Sequence, residues 1–323
     1  MPGFLSWRAA PLARSLCCSV HALARVVVAL AAALAAHGAW SGSINYCQGQ
    51  TEPSPAEYDR LLQVSAVVKG ELERSGQRMA IVARSGLSLQ RWGHRYSHAG
   101  ISLMASPNVP WSVRQLYYAC DQKRPRIFDQ GMTGFVMGAA DAAQGYLSLL
   151  LLPAQAAQQL EEAALDDGRV LQLLGGTYSA NAYAFGQRYQ NCNQWLAELT
   201  AHAWGVLGEH ETARGQAQTW LRDQHYQPSS FDVVWEPLAW LAGLLPWLHT
   251  DDHPTQNLVA AQFQVSMPAS IEAFIAQRLP QTSRIEVCYT ARHIVVRHGW
   301  DPIETGCHPG AADIVLTVAQ LAP

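Results

Sequence analysis

Apolar residues recur along this chain at two spacings, and each predicts its own kind of element. From Glu57 to Arg74, the residues Tyr58, Leu61, Leu62, Ser65 and Val68 fall on one side of a helix, and Gly76 follows its end. Met79-Ala80-Ile81-Val82-Ala83 is apolar without a break, which predicts a buried strand. Residues 85–95 contain Gly86, Trp92 and Gly93 and are expected to form a loop carrying aromatic and basic groups. His98 to Met104 predicts the next strand, and Ser106-Pro107-Asn108-Val109-Pro110 a turn. From Ser112 to Ala119, Val113, Gln115 and Tyr117 alternate with Arg114, Leu116 and Tyr118. These two strands are expected to form a hairpin that brings side chains of the later one beside His98.

Arg126 to Asp129 and Gly145 to Leu152 follow as strands, the second apolar throughout, as a central strand should be. Pro153 opens a helix with Ala156, Ala157, Leu160, Ala163 and Ala164 inward and Asp166-Asp167-Gly168 at its end. A loop rich in Gly, Tyr and Asn runs from Gly175 to Gln190. Trp195, Leu196, Leu199, Ala203 and Val206 then predict a helix from Cys192 to near Gly205. Another is expected over Thr212 to Gln224. Val233 to Leu248 is strongly apolar, carries Trp235, Trp240 and Trp247, and is interrupted by Pro237 and Pro246. Thr250 to Gln256 is polar and reads as a hinge. One helix (Ile271 to Arg278) and strands near Ile285–Tyr289, His293–Arg297 and Ile314–Val318 complete the chain. This mixture predicts an α+β fold.

Composition adds three bounds. Of 323 residues, 49% are apolar, enough for a sizeable core. The formal net charge is −3 and no basic patch alternates with aromatics, so nucleic acid is not an expected partner. Arg8, Arg14 and Arg25 precede an apolar run from Val26 to Ala36 and then small residues, the layout of a signal peptide over residues 1–39, with cleavage after Gly38, Ala39 or Ser41. The run is about half the roughly twenty residues a spanning helix needs. The expected location is therefore periplasmic or secreted, with a main domain over 45–248 and a C-terminal β-rich extension over 249–323.

Cysteine usage agrees with export. Cys17 and Cys18 fall in the leader, leaving the odd set Cys47, Cys120, Cys192, Cys288 and Cys307. Cys288 and Cys307 flank a hairpin region and are a natural pair, their closed loop worth roughly 3 kcal/mol. Cys47 with Cys120 is the remaining pairing, which leaves Cys192 free. Cys192 lies in the polar stretch Gln190-Asn191-Cys192-Asn193-Gln194-Trp195, in the first turn of its helix. Backbone N–H groups at such a terminus favour a thiolate. A thiol at a helix start and His98 on a strand are the two parts of a cysteine–histidine nucleophile.

The order of these motifs, Tyr96-Ser97-His98-Ala99-Gly100-Ile101 on a strand and Asn191-Cys192-Asn193-Gln194-Trp195 opening a later helix, resembles the circularly permuted NlpC-type papain-like thiol hydrolases and acyltransferases. The string Trp111 to Asp121, followed by Phe128-Asp129-Gln130-Gly131, is similar to a secreted bacterial family known as domain of unknown function 2145. The resemblance covers roughly residues 45 to 245. It implies a small antiparallel sheet with the nucleophile helix packed across it, Cys192 as nucleophile and His98 as general base. In that superfamily a third polar residue, around twelve positions past the histidine, orients the imidazole. Here those positions hold Val109, Pro110 and Trp111. Gln115 is the best candidate on the strand, with Asp121 and Asp129 as alternatives; a neutral amide serves this role in papain-like enzymes.

The expected chemistry is acyl transfer on an amide or ester, with the oxyanion near the Cys192 N–H and a side-chain donor among Tyr96, Tyr178 and Tyr189. Expected substrates are a peptide, a lipid or an acylated envelope component; the alternative is a catalytically inert envelope binding protein of the same fold. No cofactor or metal is expected. Cys288, His293, His298, Cys307 and His308 fit no zinc spacing, and His249 and His253, flanking Asp251-Asp252, read as a solvated loop. Val233–Leu248 is expected to be core or lid, with peripheral membrane contact as the rival, because tryptophans favour that boundary.

Overall fold

Most helices start at a capping side chain or at a proline; the short helix after Gly131 has neither. The structure, a computed structural model, describes residues 52–139, 141–205, 212–232 and 247–317. Helix α1 (Pro55–Arg74) opens on a capping box in which Ser54 and Glu57 bond reciprocally, with proline in the first turn. Strand β1 (Met79–Arg84) follows, then β2 (His98–Leu103), β3 (Ser112–Ala119) and β4 (Arg124–Gln130). A short helix, α2 (Met132–Met137), leads to β5 (Gly145–Leu151). The helix expected after Pro153 is two: α3 (Ala154–Leu165) and α4 (Asp167–Gln172), because Asp166 leaves helical geometry and caps the second with its side chain.

Helices α5 (Cys192–Trp204) and α6 (Ala213–Asp223) come next, capped by Asn191 and Thr212. Strands β6 (Ser229–Asp232) and β7 (Gln262–Val265) pair with each other across the short helix α7 (Thr255–Val259). Helix α8 (Pro268–Arg278) and strands β8 (Ser283–Tyr289), β9 (His293–His298) and β10 (Ile314–Thr317) complete the chain. The leader, Cys47 and Val233–Leu248 up to residue 246 lie outside the described residues.

The organising feature is an 8-stranded sheet in the order β10-β9-β8-β5-β1-β2-β3-β4, with antiparallel pairing throughout. Strand β8 lies beside β5 over its whole length, so strands from beyond residue 249 continue the sheet that begins with β1. One face carries Val82, Val113, Leu149 and Val287 and packs beneath α1 and α2, whose Leu61, Val68, Leu72 and Phe135 share its core. Helices α3 and α5 pack on the other face against β1, β2 and β3. At β5 both faces are covered and every residue is buried, which explains a run that is apolar except at Ser148. Among the described residues no helix is long and apolar enough to cross a membrane.

The alternation expected for β3 holds. Arg114 points toward α3, donating to Ala164 O at 2.7 Å, while Val113 joins the opposite core. Cys288 and Cys307 are disulfide-bonded with Cα atoms 5.8 Å apart. Cys120 is also disulfide-bonded, and Cys192 is the free cysteine among the described residues.

Candidate active site

Every residue of the stretch around Cys192 has a structural task. Asn191 Oδ1 accepts from Gln194 N at 2.7 Å, so it caps α5 and sets where the helix begins. Gln190 Nε2 donates to Leu173 O at 2.8 Å and Glu198 Oε2 at 2.6 Å. Gln194 Nε2 reaches Gly186 O at 2.9 Å. Trp195 is fully buried. Glu198, buried beneath the same turn, is neutralised by Arg214 at 2.9 Å and accepts from Gln218 at 2.7 Å. The preceding loop and α6 therefore fix the start of α5, and with it the thiol.

The start of helix α5 meets the chain just before β2. Asn193 Nδ2 donates to Ser97 O at 3.1 Å. The backbone N–H groups of Asn193, Ala99 and Cys192 itself favour a negative charge on Cys192 Sγ. Strand β2 pairs β3 from Ile101 onward, through Ile101↔Arg114, Ser102↔Val113 and Leu103↔Ser112.

The imidazole is held from the next strand. His98 Nε2 lies 2.5 Å from Gln115 Oε1, and Gln115 Nε2 donates to Gln130 Oε1 at 2.6 Å. Because the Gln115 amide is oriented by Gln130, its oxygen faces the ring; His98 carries its proton on Nε2 and leaves Nδ1 as the basic nitrogen. Gly100 permits this approach. A Cβ there would lie 2.7 Å from Val113 Cγ1 and 2.8 Å from Arg114 O. The rings of Tyr117 and Phe135 flank the imidazole at 5.8 and 6.1 Å.

Of the three candidates for the orienting residue, Gln115 is the one at the imidazole. Asp129 is bidentate to Arg114 at 2.7 and 2.6 Å, and Asp121 is exposed beside Gln122. The candidate tyrosine donors have other partners. Tyr96 Oη bonds Glu286 and accepts from Arg284 at 2.9 Å. Tyr189 stacks on His249 at 4.2 Å, and Tyr178 lies against Tyr118 at 5.1 Å. Sequence reasoning missed Gln130, Asn193 and Arg84, the residue opposite His98 across β1 and β2.

The electrostatics differ from those expected. Burial pushes the Cys192 thiol up to about 11, although the charge of Arg84 and the N–H groups around the sulfur pull the other way. The amide dipoles at the helix start do favour the anion, but losing water outweighs them. Burial and then Arg84 push His98 down to about 3, against the Gln115 hydrogen bond. The resting pair is thus neutral thiol and neutral imidazole. Among the described residues no hydrogen bond joins the thiol to the ring, whose partner is Gln115.

The C-terminal cysteines and histidines are used structurally. His293 Nε2 lies 3.0 Å from Cys307 O, and His298 pairs with Glu71 at 3.3 Å. Among the described residues no group of three or more His, Cys, Asp or Glu could hold a metal ion. The segment read as a solvated loop is not one: His253 is buried with Nε2 2.8 Å from Asn181 O, and Asp252 accepts from Tyr183 N at 2.9 Å.

A family model described as "Uncharacterized protein conserved in bacteria (DUF2145)" matches residues 71–275, a span that includes both His98 and Cys192. No curated protein and no solved structure matches the chain.

Proposed function

The chain belongs to this conserved bacterial family, and we propose that it is an exported cysteine hydrolase or acyltransferase with a permuted papain-like fold, cleaving an amide or ester in the bacterial envelope. The observation that carries this proposal is the joint placement of three groups. Cys192 opens a capped helix, its neighbour Asn193 bonds the backbone of Ser97 just before His98, and His98 is oriented by Gln115.

The step begins with substrate at the sulfur. The Cys192 S–H proton passes to His98 Nδ1 as the sulfur adds to the carbonyl carbon; a C–S bond forms and the carbonyl π pair moves to oxygen. The N–H groups at the start of α5 stabilise that oxyanion. The C=O bond then re-forms, the leaving group departs with the imidazolium proton, and an acyl-thioester remains. Water, or a second nucleophile in a transferase, releases the acyl group. Gln115 keeps the ring in the tautomer this requires.

A second possibility, an inert binding protein of the same fold, draws on the buried thiol and its raised pKa. Turnover separates the two. The chain without residues 1–39 is incubated with p-nitrophenyl acyl esters and acyl-peptide p-nitroanilides. The enzyme is expected to release chromophore, and Cys192→Ala and His98→Ala to lose at least about a hundredfold in rate. Equal rates in wild type and Cys192→Ala would support the binding protein.

A further inference from the structure

The loop that leads to Cys192 is gripped from two sides. From α5, the residue before the thiol and the one two after it hold the loop's carbonyls. Asn191 Nδ2 donates to Ala180 O at 3.2 Å. Gln194 Nε2 donates to Tyr183 O at 3.2 Å, Ala184 O at 3.3 Å and Gly186 O at 2.9 Å. From the other side, residues 247–264 hold the amides of the same three loop residues. Ala180 N donates to Trp247 O at 2.8 Å and Ala184 N to Gln264 O at 3.0 Å. Tyr183 N donates to Asp252 Oδ2 at 2.9 Å.

Asn181 is where the two segments interlock. Its Nδ2 donates to His249 O at 2.8 Å, and its Oδ1 accepts from His249 N at 3.1 Å. Its backbone carbonyl lies 2.8 Å from His253 Nε2; a carbonyl can only accept, so Nε2 carries the proton. The side chains of Asp252 and His253 are 2% and 0% exposed, and the His253 ring packs 4.8 Å from Phe263 of β7. If one partner of such a buried bond is removed, the other is left without water to replace it.

We propose that residues 247–253 form a strap whose seating fixes the start of α5, and that His253 is a positioning residue for Cys192. The proposal rests on Cys192 being the thiol this site uses. His253 holds the carbonyl of Asn181, and Asn191 holds the carbonyl next to it, so a shift at one is passed to the other across a single residue. With the strap seated, Cys192 is 5% exposed. With His253 lost, the loop has its backing at Asn181 removed, and the first turn of α5 is free to open toward water.

The test reads the thiol directly and needs no turnover. Cys192 in the full chain is alkylated with iodoacetamide at pH 7.5 and followed by peptide mass spectrometry. His253→Leu is expected to label at least about tenfold faster than wild type, because opening returns water to the sulfur. His253→Gln, whose amide nitrogen can donate to the same carbonyl, is expected to stay within about twofold of wild type. Val296→Ala, in the core on β9, four strands from β2, controls for general loss of stability and is also expected to stay within about twofold. No acceleration in His253→Leu, equal acceleration in Val296→Ala, or no recovery in His253→Gln overturns the proposal. Should His253→Leu fail to fold, hydrogen exchange of the wild type decides. The amides of Ala180, Tyr183 and Ala184 are expected to be as protected as those of α5, and rapid exchange there overturns the strap. Failure of the hydrolase assignment shows differently, as hydrolysis that survives Cys192→Ala.

Discussion

Gln115 Oε1 lies 2.5 Å from His98 Nε2, and no other described residue hydrogen-bonds to that ring. Gln115 in turn is oriented by Gln130. Replacing Gln115 with Leu removes the acceptor and frees the imidazole to turn. The expected effect is a loss of about tenfold to a hundredfold in kcat, part of what a general base contributes, with KM little changed. Gln130→Leu is expected to act in the same direction and more weakly. A Gln115→Leu enzyme with wild-type kcat would show that the ring is positioned by something else.

Gly100 is the hinge of the geometry. Adding a methyl at this position drives it against Arg114 O, a backbone atom that cannot turn aside. Gly100→Ala is expected to cost about 1–3 kcal/mol, as overpacking does, and to lower activity by separating β2 from β3. Gly176, where an added methyl would meet nothing within 4 Å, serves as control; Gly176→Ala is expected to fall within about 0.5 kcal/mol of wild type. Urea unfolding of both variants decides. Equal stabilities would contradict the packing described here.

The resting thiol should be sluggish. With its pKa pushed up to about 11, Cys192 in the folded protein is expected to react with iodoacetamide at pH 7.5 at least about tenfold more slowly than N-acetylcysteine, and to speed up as pH rises. Rapid labelling at pH 6 would mean a preformed thiolate–imidazolium pair.

His98 also sets a pH dependence of folding. Its pKa falls from 6.5 to about 3 on folding, so the unfolded chain takes up a proton that the folded chain refuses between those values. The stability tied to the neutral ring is complete above pH 6.5 and is lost as pH falls toward 3, by at most about 1.4 kcal/mol per pH unit. His98→Gln is expected to flatten this acid limb in denaturant midpoints measured from pH 4 to 7. An unchanged slope would show that His98 titrates normally.

Much of this architecture is legible in the chain, and the failures have physical causes. The helical spacing of Leu61, Ser65 and Val68 announces α1, although its capped start at Ser54 lies a few residues earlier than that spacing shows, and the largely apolar run of β5 marks the centre of the sheet. The odd set of cysteines leaves Cys192 free, as the structure has it. Helix α2 is hidden by Gly131, Gly134 and Gly138, residues that usually mark turns; its Met132, Phe135 and Val136 are held by the core instead. The acidity of the Cys192 thiol is not legible, because an N–H dipole can be read from a helix start, whereas burial depends on what packs above it. Arg84 and Gln130 escape a reading by sequence distance because strand register brings them to His98 and Gln115.

The most direct test of Cys192 as nucleophile is to catch its acyl-thioester. Wild type, Cys192→Ala and His98→Ala are mixed with p-nitrophenyl acetate, quenched in acid within seconds and mapped by peptide mass spectrometry. An acetyl group on Cys192, labile to hydroxylamine, absent from Cys192→Ala and at least about a hundredfold slower to form in His98→Ala, is the expected result. Acetylation spread over other residues, or forming on Cys192 equally fast without His98, would contradict it.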